Sequence, residues 1–268
     1  MQIHKASPAV SPNARHLAIL KLGGSAITNK NKWMSANPRA ITNLTIAVAH
    51  AWKRGAKNLI IVHGAGSFGH ALVLKWKLNN GVRTPEQKVA CARTHAACCA
   101  LSALVTGALV KKGVPAISIP PQEIVKSRNR RIVKFDARPV YAALKSGKVP
   151  VLFGDMVPDS ALGYSVCSGD QIVAYLGKKA SRIIMASNVD GVMADGKLVP
   201  VITRKNFASI APHLKGSSAA DVTGGMAGKI REIAAIRKPA FIVNAKNPGR
   251  VAALLLGKKA ICTKINPK

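Results

Sequence analysis

Asn58-Leu59-Ile60-Ile61-Val62-His63-Gly64-Ala65-Gly66-Ser67-Phe68-Gly69-His70 decides how this chain is read. Residues 58–62 form an apolar run of strand type, and the eight that follow form a glycine loop closed by a histidine. Three glycines let the backbone approach a ligand closely and turn its N–H groups inward, as anion cradles require. His70 adds a side-chain donor whose charge changes near neutral pH. Two further loops repeat the device. Leu17-Ala18-Ile19-Leu20-Lys21-Leu22 runs into Gly23-Gly24-Ser25, and Thr223-Gly224-Gly225-Met226-Ala227-Gly228-Lys229 opens a helix. Three phosphate-type loops in one chain suit a site that holds two phosphorylated ligands together, which is what a phosphotransferase requires.

Outward from these loops, strand and helix signals alternate, which predicts an α/β fold with a mainly parallel sheet covered on both faces. Expected strands are Leu17–Leu22, Asn58–Val62, Ala116–Ile119, Val149–Phe153, Arg182–Ala186 and a last one at Phe241–Asn244. A helix from about Pro38 to Arg54 has Asn37 as its N-cap and Gly55 at its exit. Thr84-Pro85-Glu86-Gln87 is a capping box opening a long helix to about Lys112, apolar on more than one face and suited to a core or a homodimer seam. Glu123 to Phe135 reads as a polar hairpin with its basic tip at Lys126–Arg131. Asp136 is expected to cap a helix ending near Gly147, and Ser168-Gly169-Asp170 starts another. The last helix is expected from near Gly225 to before Pro239. In such sheets ligands gather beyond the carboxyl ends of the strands, and that is where each polar glycine motif falls.

The 268 residues suit one large domain, 48% hydrophobic, with a mean hydropathy of +0.15. No apolar run reaches bilayer length, and Met1–His16 has no apolar h-region, so it reads as a flexible lead-in before a domain spanning 17–268. Five cysteines without C-x-x-C spacing read as reduced thiols of a cytoplasmic protein. The charge is extreme: 41 Lys+Arg against 10 Asp+Glu give +31. Such an excess speeds anion capture and attracts nucleic acid or anionic membranes. The basic residues are scattered, though, and aromatics make up only 4%. No zinc-finger spacing or basic zipper appears, so no specific nucleic-acid or membrane partner is implied.

Lys21-Leu22-Gly23-Gly24-Ser25 with Lys30, the loop ending in His70, Ser168-Gly169-Asp170, and Asp221-Val222-Thr223-Gly224-Gly225-Met226 with Lys229 occur in an order that resembles the amino acid kinase superfamily. The His70 loop most resembles the isopentenyl phosphate kinases and the related fosfomycin kinases. The resemblance spans about Leu17 to Lys264 and implies a three-layer αβα sandwich with an open, mainly parallel sheet. It further implies an acceptor-phosphate lobe (17–178), a nucleotide lobe (179–268) and a homodimer. The implied reaction is ATP-dependent phosphorylation of isopentenyl phosphate to the diphosphate, with Mg²⁺. On this resemblance Lys21 and Lys30 touch the transferring phosphoryl group. Gly23, Gly24 and Ser25 cradle nucleotide phosphates, while Ala65 and Gly66 supply amides between donor and acceptor. His70 bonds the acceptor phosphate, Gly169 lines its pocket and Asp170 orients the lysines. Asn188, Asp190, Gly225 and Lys229 hold ATP.

The residue types fit that chemistry. A phosphate monoester is largely dianionic near pH 7, so its oxygen attacks without a general base, and catalysis reduces to alignment and charge neutralisation. Three positions depart from the family pattern: Ala65 for Gly, Asn188 for Asp and Gln171 for a second Asp. A five-carbon tail is expected along the long helix, near Val89, Ala96, Ala97 and Ala100. His63, His95, the three tryptophans, Asp136 and Asp221 read as structural residues, and Asp155 is divided between a loop-bonding role and a functional one. Two rivals stand beside this reading: a phosphonate kinase of the fosfomycin type, and a non-catalytic cationic nucleic-acid-binding protein.

Overall fold

The computed structural model describes residues 16–29, 32–210, 228, 230, 232–233, 236 and 238–266. Lys30, Asp221, Gly225, Lys229 and residues 1–15 of the lead-in therefore lie outside the described residues.

Strand β1 (Ala18–Leu22) is buried at every position and sits inside an eight-stranded sheet. It pairs in parallel with β2 (Leu59–His63) on one side. A short helix, α1 (Gly24–Ile27), follows β1, and α2 (Pro38–Lys53) returns the chain to the start of β2. The side chain of Asn37 accepts from the Ala40 amide at 3.0 Å, and proline opens the helix, as the sequence predicts. After the glycine loop come α3 (His70–Lys75) and α4 (Pro85–Lys111). The capping box of α4 is complete: Thr84 Oγ1 accepts from Gln87 N, and the Gln87 side chain accepts from Thr84 N.

Then β3 (Ala116–Ser118), the one-turn α5 (Pro121–Ile124) and the hairpin β4 (Val125–Arg128) to β5 (Arg131–Phe135) follow. Its tip turns at Asn129 and Arg130, both at positive φ, and Asp159 accepts from both of their amides. Helix α6 (Arg138–Lys145) is capped differently from expectation: its N-cap is Ala137, and Asp136 stands one residue earlier, accepting from the Arg138 amide and guanidinium. From β6 (Val149–Phe153) the chain passes into an antiparallel hairpin, β7 (Asp155–Asp159) and β8 (Gly163–Cys167), that the sequence reading missed. Because Asp155 pairs with Cys167, the hairpin returns the chain beside its own starting point and opens α7 (Gly169–Gly177) there.

Strand β9 (Arg182–Ser187) pairs with the other side of β1. A small hairpin, β10 (Val192–Ala194) and β11 (Lys197–Val199), leads to β12 (Val201–Ile202) and α8 (Arg204–Ile210). Strand β13 (Ala240–Asn244) is not the last element. Helix α9 (Pro248–Leu255) and β14 (Thr263–Ile265), antiparallel to β13, follow it. The sheet order is β12-β14-β13-β9-β1-β2-β6-β3.

Period-two alternation feeds two cores. Ala18, Leu20, Leu59 and Ile61 face α2, α4 and α9, whereas Ile19, Ile60 and Val62 face α6 and α7. The result is a three-layer αβα sandwich. It also settles where Lys21 goes, since this residue follows Leu20 and so points to the α7 side. Helix α4 is, by length and composition, apolar enough to cross a membrane, where the sequence reading expected no such run. Its inward stripe of Ala97, Leu101, Val105 and Leu109 is packed in the core.

Candidate active site

The carboxyl ends of β1, β2, β6 and β9 lie side by side, and each delivers one motif. Lys21, 6% exposed, donates from Nζ to Asp170 Oδ1 at 2.7 Å. Asp170 lies in the first turn of α7, where unpaired amides and the helix dipole favour its negative charge. Gly169 precedes it, and a Cβ there would stand 3.2 Å from the His63 carbonyl oxygen and 3.3 Å from Lys21 Cε. Lys21, Gly169 and Asp170, 149 positions apart in sequence at the ion pair, thus form one cluster.

The two N-terminal glycine loops meet backbone to backbone. A Cβ on Gly24 would fall 2.5 Å from Gly66 N, and one on Gly64 would fall 2.6 Å from Gly24 N. Gly66 has φ +53°, and a Cβ on it would overlap Thr28 Oγ1. Glycine is required here by the contact between loops as well as by any ligand. Thr28 and Ser67, missed as site residues, stitch the contact: Thr28 Oγ1 donates to Gly24 O at 2.8 Å and accepts from Ser67 N at 3.1 Å. Their signal was a hydroxyl in each of two glycine loops. The amides of Gly24 and Ser25 precede the first backbone bond of the α1 turn, Ala26 N to Gly23 O.

Ala65 has φ −68° and ψ −29°, so its Cβ is accommodated without strain. A Cβ on Gly154 would lie 3.5 Å from Ala65 N and 3.4 Å from Gly169 N, which places both amides on one side of the β6 terminus. His70 is half-buried as the first residue of α3. The residue before it, Gly69, packs toward Ala65, Cys98 and Thr94. These α4 side chains reach the loop. Of the four residues expected beside the acceptor tail, Val89, Ala96 and Ala100 are exposed on the outer face, and only Ala97 is buried. The reason is helical phase: positions 94, 98 and 101 share the inward stripe.

The departures have structural uses. Asn188 donates to Ser25 O at 2.8 Å, tying the end of β9 to α1. The Gln171 side chain donates to Arg130 O at 3.1 Å, fastening the basic hairpin to α7. Asp190 carries the Arg250 guanidinium and the Asn244 amide.

His63 and His95 take structural positions. His63 is buried, stacked on Phe153 with ring centroids 5.4 Å apart, and its Nδ1 lies 3.1 Å from Gly64 O. Burial lowers its pKa to about 4, so it is neutral at pH 7. His95 Nδ1 lies 2.9 Å from Asp155 Oδ2, and that carboxylate raises the histidine above its ordinary value. Asp155 also accepts from Gln122 N and Met156 N, so it knits α4, α5 and β7 behind the site. No group of three or more metal-ligating side chains occurs among the described residues.

The family model described as the amino acid kinase family matches residues 16–244. The chain belongs to the amino acid kinase family. Within the family it is 34% identical over 270 residues to the isopentenyl phosphate kinase of Methanothermobacter thermautotrophicus, covering 94% of this chain and 100% of that protein. It is also 34% identical over 251 residues to the isopentenyl phosphate kinase of Methanocaldococcus jannaschii, covering 90% and 96% of the two chains. Among solved structures, an X-ray structure of isopentenyl phosphate kinase superposes with a TM-score of 0.80 at 31% identity, over 94% of this chain and 100% of that one. Amino acid kinase membership and the αβα fold therefore agree with the order of motifs read from the sequence.

Proposed function

We propose that this chain transfers the γ-phosphoryl group of ATP to isopentenyl phosphate, yielding isopentenyl diphosphate and ADP. A non-bridging oxygen of the acceptor phosphate forms the new P–O bond as the bond from the γ-phosphorus to the β-bridging oxygen breaks, and no proton need move. The observation that carries the reading is the Lys21–Asp170 pair set against amides of the two glycine loops, at four adjoining strand ends. A lysine held in place supplies charge to the transferring group without rearrangement. In this reading Lys30, Gly225 and Lys229 complete the donor side with Gly23, Gly24, Ser25, Gly66, Asn188 and Asp190. Ala65, Gly169 and His70 face the acceptor, and the division into acceptor and nucleotide lobes follows from that assignment.

Mg²⁺ fits as a companion of ATP. The described residues offer no cage, and Asp170 is committed to Lys21, so phosphate oxygens and water would hold the ion, which when bound neutralises donor charge. The outer face of α4, with Val89, Leu104 and Val110 exposed beside the edge strand β3, is the surface on which a homodimer would close. The reaction belongs in the cytoplasm, where ATP is supplied.

The test is coupled ADP release with isopentenyl phosphate, dimethylallyl phosphate and fosfomycin. Turnover of isopentenyl phosphate well above fosfomycin is expected; the reverse order would replace the acceptor with a phosphonate. His70→Ala should raise the acceptor KM and lower kcat with ATP binding nearly intact, and wild-type kinetics would remove His70 from the site.

A further inference from the structure

We propose that the face at the amino ends of the parallel strands, opposite the candidate active site, docks the phosphate backbone of a nucleic acid without regard to sequence. The wiring of the fold creates this face. Every helix that returns the chain to a parallel strand must end there, and α2, α4 and α7 have Arg54, Lys112 and Lys178 as their C-caps. A helix dipole accounts for one cation in a last turn. It does not account for Lys57, Lys148, Lys258 and Lys259, which lie beyond the helix ends in exposed connections.

The described carboxylates are segregated to the other end. Asp155 and Asp170 lie at the carboxyl-end site, Glu86 and Asp136 at helix starts, and Asp159 under the basic hairpin. Asp190 pairs with Arg250 at the end of β9, Glu232 pairs with the hairpin's Arg131, and Glu123 lies in α5. Asp195 turns the hairpin that springs from the carboxyl end of β9. No described acidic residue belongs to the amino-end face.

Chemistry at the face favours phosphates over lipid or stacked bases. The cationic turns at helix ends are built on Gly55, Gly113, Gly147 and Gly257, all at positive φ, and Val110 is the one exposed large apolar side chain within three residues of them, too little to enter a bilayer. Aromatic rings lie under cations: Lys57 Nζ is 4.4 Å from the Trp52 ring centroid and Lys179 Nζ is 5.0 Å from that of Tyr141. Six parallel strands, β13 to β3, at about 4.8 Å spacing make the row about 24 Å wide, the length of about seven base pairs.

The probe is a labelled duplex DNA of about 20 base pairs and mixed sequence, followed by anisotropy from about 50 to 200 mM salt. With about six phosphates engaged, log K against log salt should fall with a slope of about −5. The variant Lys148→Glu, Lys258→Glu, Lys259→Glu, which leaves the helix caps untouched, should bind at least about tenfold more weakly and with a shallower slope, while ADP release and melting temperature stay at wild type. Unchanged binding by that variant overturns the proposal. So does displacement of the duplex by saturating ATP and acceptor, which would place the anion in the active site. Binding to phosphatidylglycerol vesicles with none to duplex would assign the face to a membrane and also overturn it.

Discussion

Replacing Gly24 with alanine tests whether loop-to-loop contact, and not loop flexibility, sets the geometry of the site. The added Cβ would lie 2.5 Å from Gly66 N and 2.8 Å from Gly66 Cα, both backbone atoms that no rotamer change can move. Ordinary contact begins near 3.4 Å, so the two loops must separate by about 1 Å. Thr28 holds both loops, through Gly24 O and Ser67 N, and therefore resists that separation. Overpacking of this kind costs about 1–3 kcal/mol of stability. A misplacement of about 1 Å between donor and acceptor costs about 100-fold in rate. Steady-state kinetics by ADP release should then show kcat/KM lowered about 100-fold, with thermal unfolding reporting the smaller stability loss. Gly107→Ala is the control, since a Cβ in that part of α4 meets nothing within 4 Å. It should stabilise by up to about 1 kcal/mol and leave kinetics alone. Wild-type kcat/KM for Gly24→Ala would refute the reasoning.

Asp170→Ala leaves the Lys21 ammonium buried without its partner, which should destabilise by about 3 kcal/mol and lower kcat; an unchanged melting temperature would show that the pair contributes nothing. Thr84→Ala removes the side-chain half of the α4 capping box and should cost about 1 kcal/mol in chemical denaturation, with no change in KM. His63 has a pKa lowered by burial to about 4 from 6.5, so the unfolded chain binds its proton first. Stability should accordingly fall by about 3 kcal/mol as pH drops from 6.5 to 4, and His63→Phe should flatten that part of the profile in urea titrations.

Much of this arrangement was legible because burial and capping write themselves locally. β1, β2, β6 and β9 are apolar runs buried on both faces, and Asn37, Thr84 and Ser168 announce their helices by side-chain caps. The rule that ligands gather at strand carboxyl ends then carried Lys21, Ala65 and Gly169 to one place. What stayed hidden depends on pairing across distance. Pro158 inside β7 argued against a strand, yet β7 lies in a small sheet whose register is anchored by Asp159. β14 is three residues long and joins antiparallel, which no local pattern specifies. Helix α9 did have a signal, Pro248 at its first turn, that the glycine beside it obscured. His95 and Asp155 meet across 60 residues, and only the closed fold reveals it.

The same topology explains how one carboxylate serves a site meant for anions. An ammonium has three donors, and the bond to Asp170 uses one of them. Asp170 thereby fixes the direction of the other two, and the start of α7 offsets part of its negative charge, so the pair still presents N–H donors to an anion. A second carboxylate at position 171 would add repulsion toward phosphates. Gln171 instead keeps its amide in the Ser168 cap and gives its side chain to the basic hairpin. The departure from the family pattern therefore leaves the field at the strand ends more positive while preserving the helix start that orients Lys21.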